Sequence, residues 1–179
     1  MKLSAGKRKL YGFLFVSAAG TFLHFLYEIS GENVVAGLFS AVNESIWEHM
    51  KLIFYPMVLA SGAEQRLGAG ETGRIRFVTL AGILLALAVI PAAYYTYTGI
   101  LGVSADWFNI TIFFLAAGGA YALGYRLEAG NGTWSISSCQ WWGAVLLMAA
   151  VFTAATFFPP RIPLFRDPLT GTYGIREIP

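Results

Sequence analysis

Five apolar runs dominate this chain and leave few choices of solvent. They lie at about residues 11–29, 33–61, 77–98, 107–125 and 140–158, separated by short polar connectors at 30–32, 62–76, 99–106 and 126–139. All approach or exceed the roughly 20 residues that cross about 30 Å of hydrocarbon as helix. Hydrophobic residues make up 56% of the chain and charged ones only 12%, where a soluble domain carries about a quarter charged. The expectation is an all-α polytopic membrane bundle of about five transmembrane helices over residues 1–158. A proline-rich, non-helical tail follows over 159–179.

The same numbers exclude some functions. A formal net charge of +2 with scattered Lys and Arg does not make the clustered basic face of a nucleic-acid binder. Cys139 is the only cysteine, which rules out an intramolecular disulfide, a Cys-based zinc site and an iron–sulfur ligand set. Ser17-Ala18-Ala19 resembles a signal-peptide cleavage site, but the apolar run continues well beyond it and reads as an uncleaved helix.

Orientation follows from basic residues, which stay on the cytoplasmic side. Lys2, Lys7, Arg8 and Lys9 precede the first span, Arg66, Arg74 and Arg76 stand in the second connector, and Arg126 in the fourth. With five spans these fall on one side, so the N-terminus is expected inside and the C-terminus outside. Arg161, Arg166 and Arg176 in the tail count against this.

Ionisable groups inside a bilayer cost at least about 2.5 kcal/mol on insertion scales and point to function. They concentrate in the first two runs. Ser17, Gly20, Thr21, His24 and Glu28 share one stripe of a helix, with His24 and Glu28 one turn apart. The second run is interrupted by Asn43-Glu44-Ser45-Ile46-Trp47-Glu48-His49-Met50-Lys51. On one continuous helix Glu44, Glu48 and Lys51 would share a face, with Ser45 and His49 on another. If Lys51 neutralises one carboxylate, the other has to be protonated, pair with His24 or His49, or bind a cation.

This second run is longer than a crossing needs. Residues 34–39 are therefore expected to form a re-entrant or interfacial piece, with the crossing helix starting near 40–43; irregular backbone is tolerated there if it lines a cavity or is covered. The tail carries turn signals at Asp167-Pro168 and Thr170-Gly171. It is expected to pack over the polar cluster, with Arg161, Arg166, Asp167 and Tyr173 as covering residues and the arginines facing the acids.

His24-Phe25-Leu26-Tyr27-Glu28, Val42-Asn43-Glu44-Ser45-Ile46-Trp47-Glu48-His49 and Pro163-Leu164-Phe165-Arg166-Asp167-Pro168 together resemble an uncharacterised family of small bacterial polytopic membrane proteins. The resemblance implies a protein of the bacterial cytoplasmic membrane and lends no activity.

Three functions fit the residue types. In the first, Glu44, Glu48, Glu28, His24 and His49 handle a cation or proton, with Lys51 as counter-ion or working group; five helices make a small pore, so a homo-oligomer among the membrane lipids is expected. In the second, a membrane-embedded metal-dependent enzyme uses two histidines and a carboxylate on a divalent ion such as zinc, with a second glutamate as base. No His-Glu-x-x-His is present, so that site would be assembled across helices. In the third, His24 and His49 are axial ligands of a haem. A Ser45–His49 acyl-transfer dyad ranks below these because nothing supplies an oxyanion hole.

Overall fold

The computed structural model describes residues 3–67 and 70–175, so Lys2 and Arg176 lie outside the described residues. Those residues form six α-helices: α1 Ala5–Ile29, α2 Val34–Gly37, α3 Ile46–Arg66, α4 Thr72–Leu101, α5 Asp106–Ala129 and α6 Ser138–Phe157. A 3-10 turn, Pro163–Phe165, follows in the tail. No strand occurs among the described residues, only an isolated antiparallel bridge between Arg166 and Tyr173.

Local chemistry sets the boundaries. Ser45 accepts a hydrogen bond from the Glu48 N–H and opens α3, while Ser137 and Gln140 cap α6 reciprocally, each satisfying backbone donors that a helix start leaves unpaired. Gly102, with φ of 72°, closes α4 in the left-handed region that only glycine enters without strain.

α1, α4, α5 and α6 are long and apolar enough to cross a membrane. α3 is long but carries Glu48, His49, Lys51, Glu64 and Arg66, and it is the helix with the most continuous burial, from Met50 through Phe54. It packs against α1 and α4, α5 packs against α1 and α4, and α6 lies against α4 and α3. Gly20 permits the α1–α3 approach, since a Cβ there would stand 2.7 Å from the Leu52 carbonyl oxygen and 2.5 Å from Phe113. Val16, Ile53, Phe54, Met57, Ile83, Ala86, Ala117 and Ala120 form the centre. Leu10, Phe22, Phe25, Leu84, Ile110, Leu115, Leu146 and Leu147 point outward, the reverse of a water-soluble surface.

One element differs from the sequence expectation. The second run is not one helix: α2 ends at Gly37, the chain loops through 38–45, and α3 begins only at Ile46. Glu44 therefore stands outside α3, and its helical phase with Glu48 and Lys51 does not exist. The cause is local, because Asn43 accepts from the Ser45 N–H and Ser45 caps α3, side-chain bonds that compete with a continuous helix.

Candidate functional site

The helices alternate in direction, so two ends of the bundle collect different chemistry. At one end meet the start of α1, the end of α3, the start of α4, the end of α5 and the start of α6. At the other meet the end of α1, α2, the 38–45 loop, the start of α3 and the tail.

At the second end, His24 of α1, Glu44 of the loop and His49 of α3 each offer a ligand atom, all within 4.8 Å of one another. His24 Nε2 lies 3.7 Å from Glu44 Oε1, and His49 Nε2 lies 3.4 Å from Glu44 Oε2. Two atoms each about 2.1 Å from a tetrahedral ion would lie about 3.4 Å apart, close to the two Glu44 contacts.

The tautomer of His49 is also arranged. Its Nδ1 is 2.9 Å from the Ser45 carbonyl oxygen, which can only accept, so Nδ1 carries a proton; Nε2, on the side of Glu44, donates to that carboxylate when the ring is protonated and offers a lone pair to an ion when it is not. The contacts with His24 and His49 hold the Glu44 carboxyl well below the usual carboxylate range. The three side chains are partly exposed, 31% for His24, 40% for Glu44 and 20% for His49, so the site faces out of the bundle. Behind it a small cavity is lined by Glu44, His49, Tyr94, Asn109 and Phe113, while Asn109 is itself bonded by the Tyr97 hydroxyl.

Glu48 and Lys51 belong to a different arrangement. Lys51 Nζ lies 2.5 Å from Glu48 Oε2, with both side chains shut off from solvent. Lys51 also donates to the Gly37 carbonyl at 2.8 Å and to Thr156 Oγ1 at 3.0 Å. Glu48 accepts from the Val42 N–H at 3.1 Å and from Thr156 at 3.0 Å. The pair is thus fully used in tying α2 and the loop to α3 and α6. The carboxylate left over is Glu44.

Other sequence candidates stand apart. Glu28 is exposed beyond the cluster. Ser45 Oγ caps α3, and His49 contacts the Ser45 carbonyl rather than its hydroxyl, so no nucleophile–base pair forms. The imidazoles of His24 and His49 touch edge to face, centroids 5.2 Å apart, and one carboxylate stands against both Nε2 atoms; axial haem ligands would need opposite sides of a porphyrin plane.

The tail docks at this end through apolar and backbone contacts. Phe165 stacks against Trp47 with centroids 4.7 Å apart, Asn43 donates to the Gly174 carbonyl, and the Ile175 N–H donates to the Thr156 carbonyl. Arg161 and Arg166 are exposed and face no acid of the cluster, and Arg166 reaches back to the Gly171 carbonyl. Asp167 is buried but accepts from Leu169 and Thr170 within its own turn; Tyr173 is half-buried in the bridge to Arg166. The expectation that the arginines answer the acids fails because Lys51 and the histidines already do.

A cluster absent from the sequence reading closes the first end. Glu64 of α3 takes Arg8 at 3.0 Å and Lys9 at 3.1 Å, and Glu128 of α5 takes the same two at 2.8 and 2.7 Å. These residues lay in connectors and in a basic leader. Their only sequence signal was two acids among basic residues at helix ends.

The family model described as Family of unknown function (DUF6512) matches residues 2–175, and the chain belongs to that family. No curated protein and no solved structure matches it.

Proposed function

We propose that this chain is an integral membrane protein that binds one divalent transition-metal ion, zinc-like in its preferences, through His24, Glu44 and His49. α3 would be the fifth crossing, shielded by its neighbours, and the metal site would lie on the outer side, opposite the basic N-terminal end. The observation that carries the reading is the convergence of three donors from three separate segments at ligand spacing, with one imidazole's tautomer fixed from behind. Imidazole and carboxylate suit zinc and its neighbours rather than magnesium or calcium, which prefer all-oxygen shells.

Binding at one face fits better than conduction across a single chain. His49 and Glu64 on α3 are about 22 Å apart along the axis at 1.5 Å per residue, and the stretch between Lys51 and Glu64 contains no charged residue or histidine. The middles of α4, α5 and α6 contain none either. No relay of charged groups joins the two ends.

A metal-dependent hydrolytic use of the ion is the second reading. Three protein ligands leave a coordination position for water, the arrangement of catalytic rather than structural zinc, and the partial exposure of the three side chains lets a substrate approach.

The test is elemental analysis of the purified protein, stripped with chelator and reloaded. One equivalent of zinc, cobalt or manganese retained through desalting is the expected result. A protein that holds none after reloading, while remaining folded, would overturn the reading.

A further inference from the structure

A cavity lies at the opposite end of the bundle from His24, Glu44 and His49. It measures about 480 Å³ and runs between α1 and α3, walled by Leu3, Tyr11, Phe15, Ala60, Ala63 and Leu67, with Arg8, Glu64 and Tyr121 at its polar part. That volume is in the range of ligand sites. Its outer edge is apolar and exposed: Leu3, Tyr11, Phe15 and Leu67 are 41, 54, 45 and 77% accessible. In a bilayer such an opening faces acyl chains.

The charges around it are unevenly placed. Of the residues that line it, the charged ones are Arg8 and Glu64, which pair with each other at 3.0 Å, so the lining carries no net charge to draw in a free anion. Next to the lining residues, exposed Lys7 shares the α1 stripe with Tyr11 and Phe15 at four-residue spacing, and exposed Arg66 lies one turn beyond Ala63; neither has a salt-bridge partner among the described residues. Arg74, Arg76 and Arg126 add to the same end against Glu71 alone.

We propose that this groove binds one anionic phospholipid of the adjoining leaflet, an acyl chain lying between α1 and α3 and the phosphate held at the rim by Lys7 and Arg66. An apolar slot with a neutral, internally paired lining and a surplus of positive charge at its mouth has the polarity of an amphiphile. The inference does not depend on the metal site.

The experiment mixes purified full-length protein with equal amounts of phosphatidylglycerol and phosphatidylcholine of identical acyl chains and reads retained lipid by native mass spectrometry. Phosphatidylglycerol is expected to exceed phosphatidylcholine by roughly tenfold or more, from two rim charges. The Lys7→Gln/Arg66→Gln double variant should bind both lipids alike, and Ala63→Trp, which fills the groove, should bind neither. Ala60→Leu is a milder filling and should weaken both, so the outcome does not rest on one bulky variant folding. Equal retention of the two lipids by the unaltered protein, or undiminished phosphatidylglycerol in both groove-filling variants, would overturn the proposal.

Discussion

Lys51 Nζ sits 2.5 Å from Glu48 Oε2, one turn apart on α3, and the lysine side chain has no exposure at all. Burying a charge without a partner is far costlier than burying a pair. Lys51→Met should therefore destabilise the protein by about 3–5 kcal/mol by stranding Glu48. The Glu48→Met/Lys51→Met double variant should recover a large part of that loss. Denaturant unfolding in mild detergent measures both, and a double variant no better than the single one would show that the pair does not act as a unit.

The metal-ligand assignment separates residues that the sequence grouped together. His24→Ala, His49→Ala and Glu44→Gln should each weaken zinc or cobalt binding by more than about 100-fold, beyond the loss from disturbing an outer-shell partner. Glu28→Gln should leave affinity unchanged because Glu28 is exposed away from the three donors. Competition titration with a chromophoric chelator reads all four, and equal losses for Glu28→Gln and Glu44→Gln would remove the assignment.

Metal affinity should fall as pH is lowered from about 7.5 to about 5.5, because imidazole must be neutral to ligate. Glu44 is held below the ordinary carboxylate range by its histidine contacts, so it remains ionised across that interval and does not contribute to the slope. Replacing Glu44 by Gln should lower affinity at every pH without flattening the curve. The same titration repeated at several pH values checks this.

The single cysteine reports topology. Cys139 is exposed at the start of α6, on the basic end proposed to face the cytoplasm. A membrane-impermeant maleimide should label it only after cells are permeabilised. With Cys139→Ser as background, Thr170→Cys in the tail should be labelled in intact cells. The opposite pattern would invert the orientation and place the metal ligands inside.

At the basic end Glu128 takes both Arg8 and Lys9 at under 3 Å. Glu128→Gln should cost about 1–3 kcal/mol, the range for a charged hydrogen bond removed from a poorly hydrated site. It should leave metal affinity untouched, since the cluster lies at the other end of α3. Thermal unfolding followed alongside metal titration distinguishes the two effects.

Much of the fold could be read from the residues because long apolar helices announce themselves by length and apolarity. The last three apolar runs became α4, α5 and α6 with ends displaced by a few residues, where Gly102 and the Ser137–Gln140 box stop or start a helix. The second run was harder. A gap before the crossing helix was suggested by its excess length, but the helix starts at Ile46 rather than 40–43 because Ser45 and Asn43 prefer to bond backbone N–H groups.

The residue types of the site were also visible, since ionisable groups in apolar runs are costly enough to be noticed. Their division was not. Helical phase put Glu44 with Glu48 and Lys51, whereas the loop turns Glu44 towards two histidines and leaves Glu48 to Lys51, Thr156 and Val42. Thr156 stands 108 positions from Glu48, and no local pattern announces such a partner.

Sequence alone determined that this chain is built of apolar helices with ionisable groups gathered in the first two apolar runs, because periodicity and transfer energy act on neighbouring residues. Tertiary structure decided which acid is spent on a buried lysine and which is left to face two imidazoles. It also decided that Arg8, Lys9, Glu64 and Glu128 close the other end. Those outcomes depend on distances between segments far apart in the chain, which are set only when the helices pack.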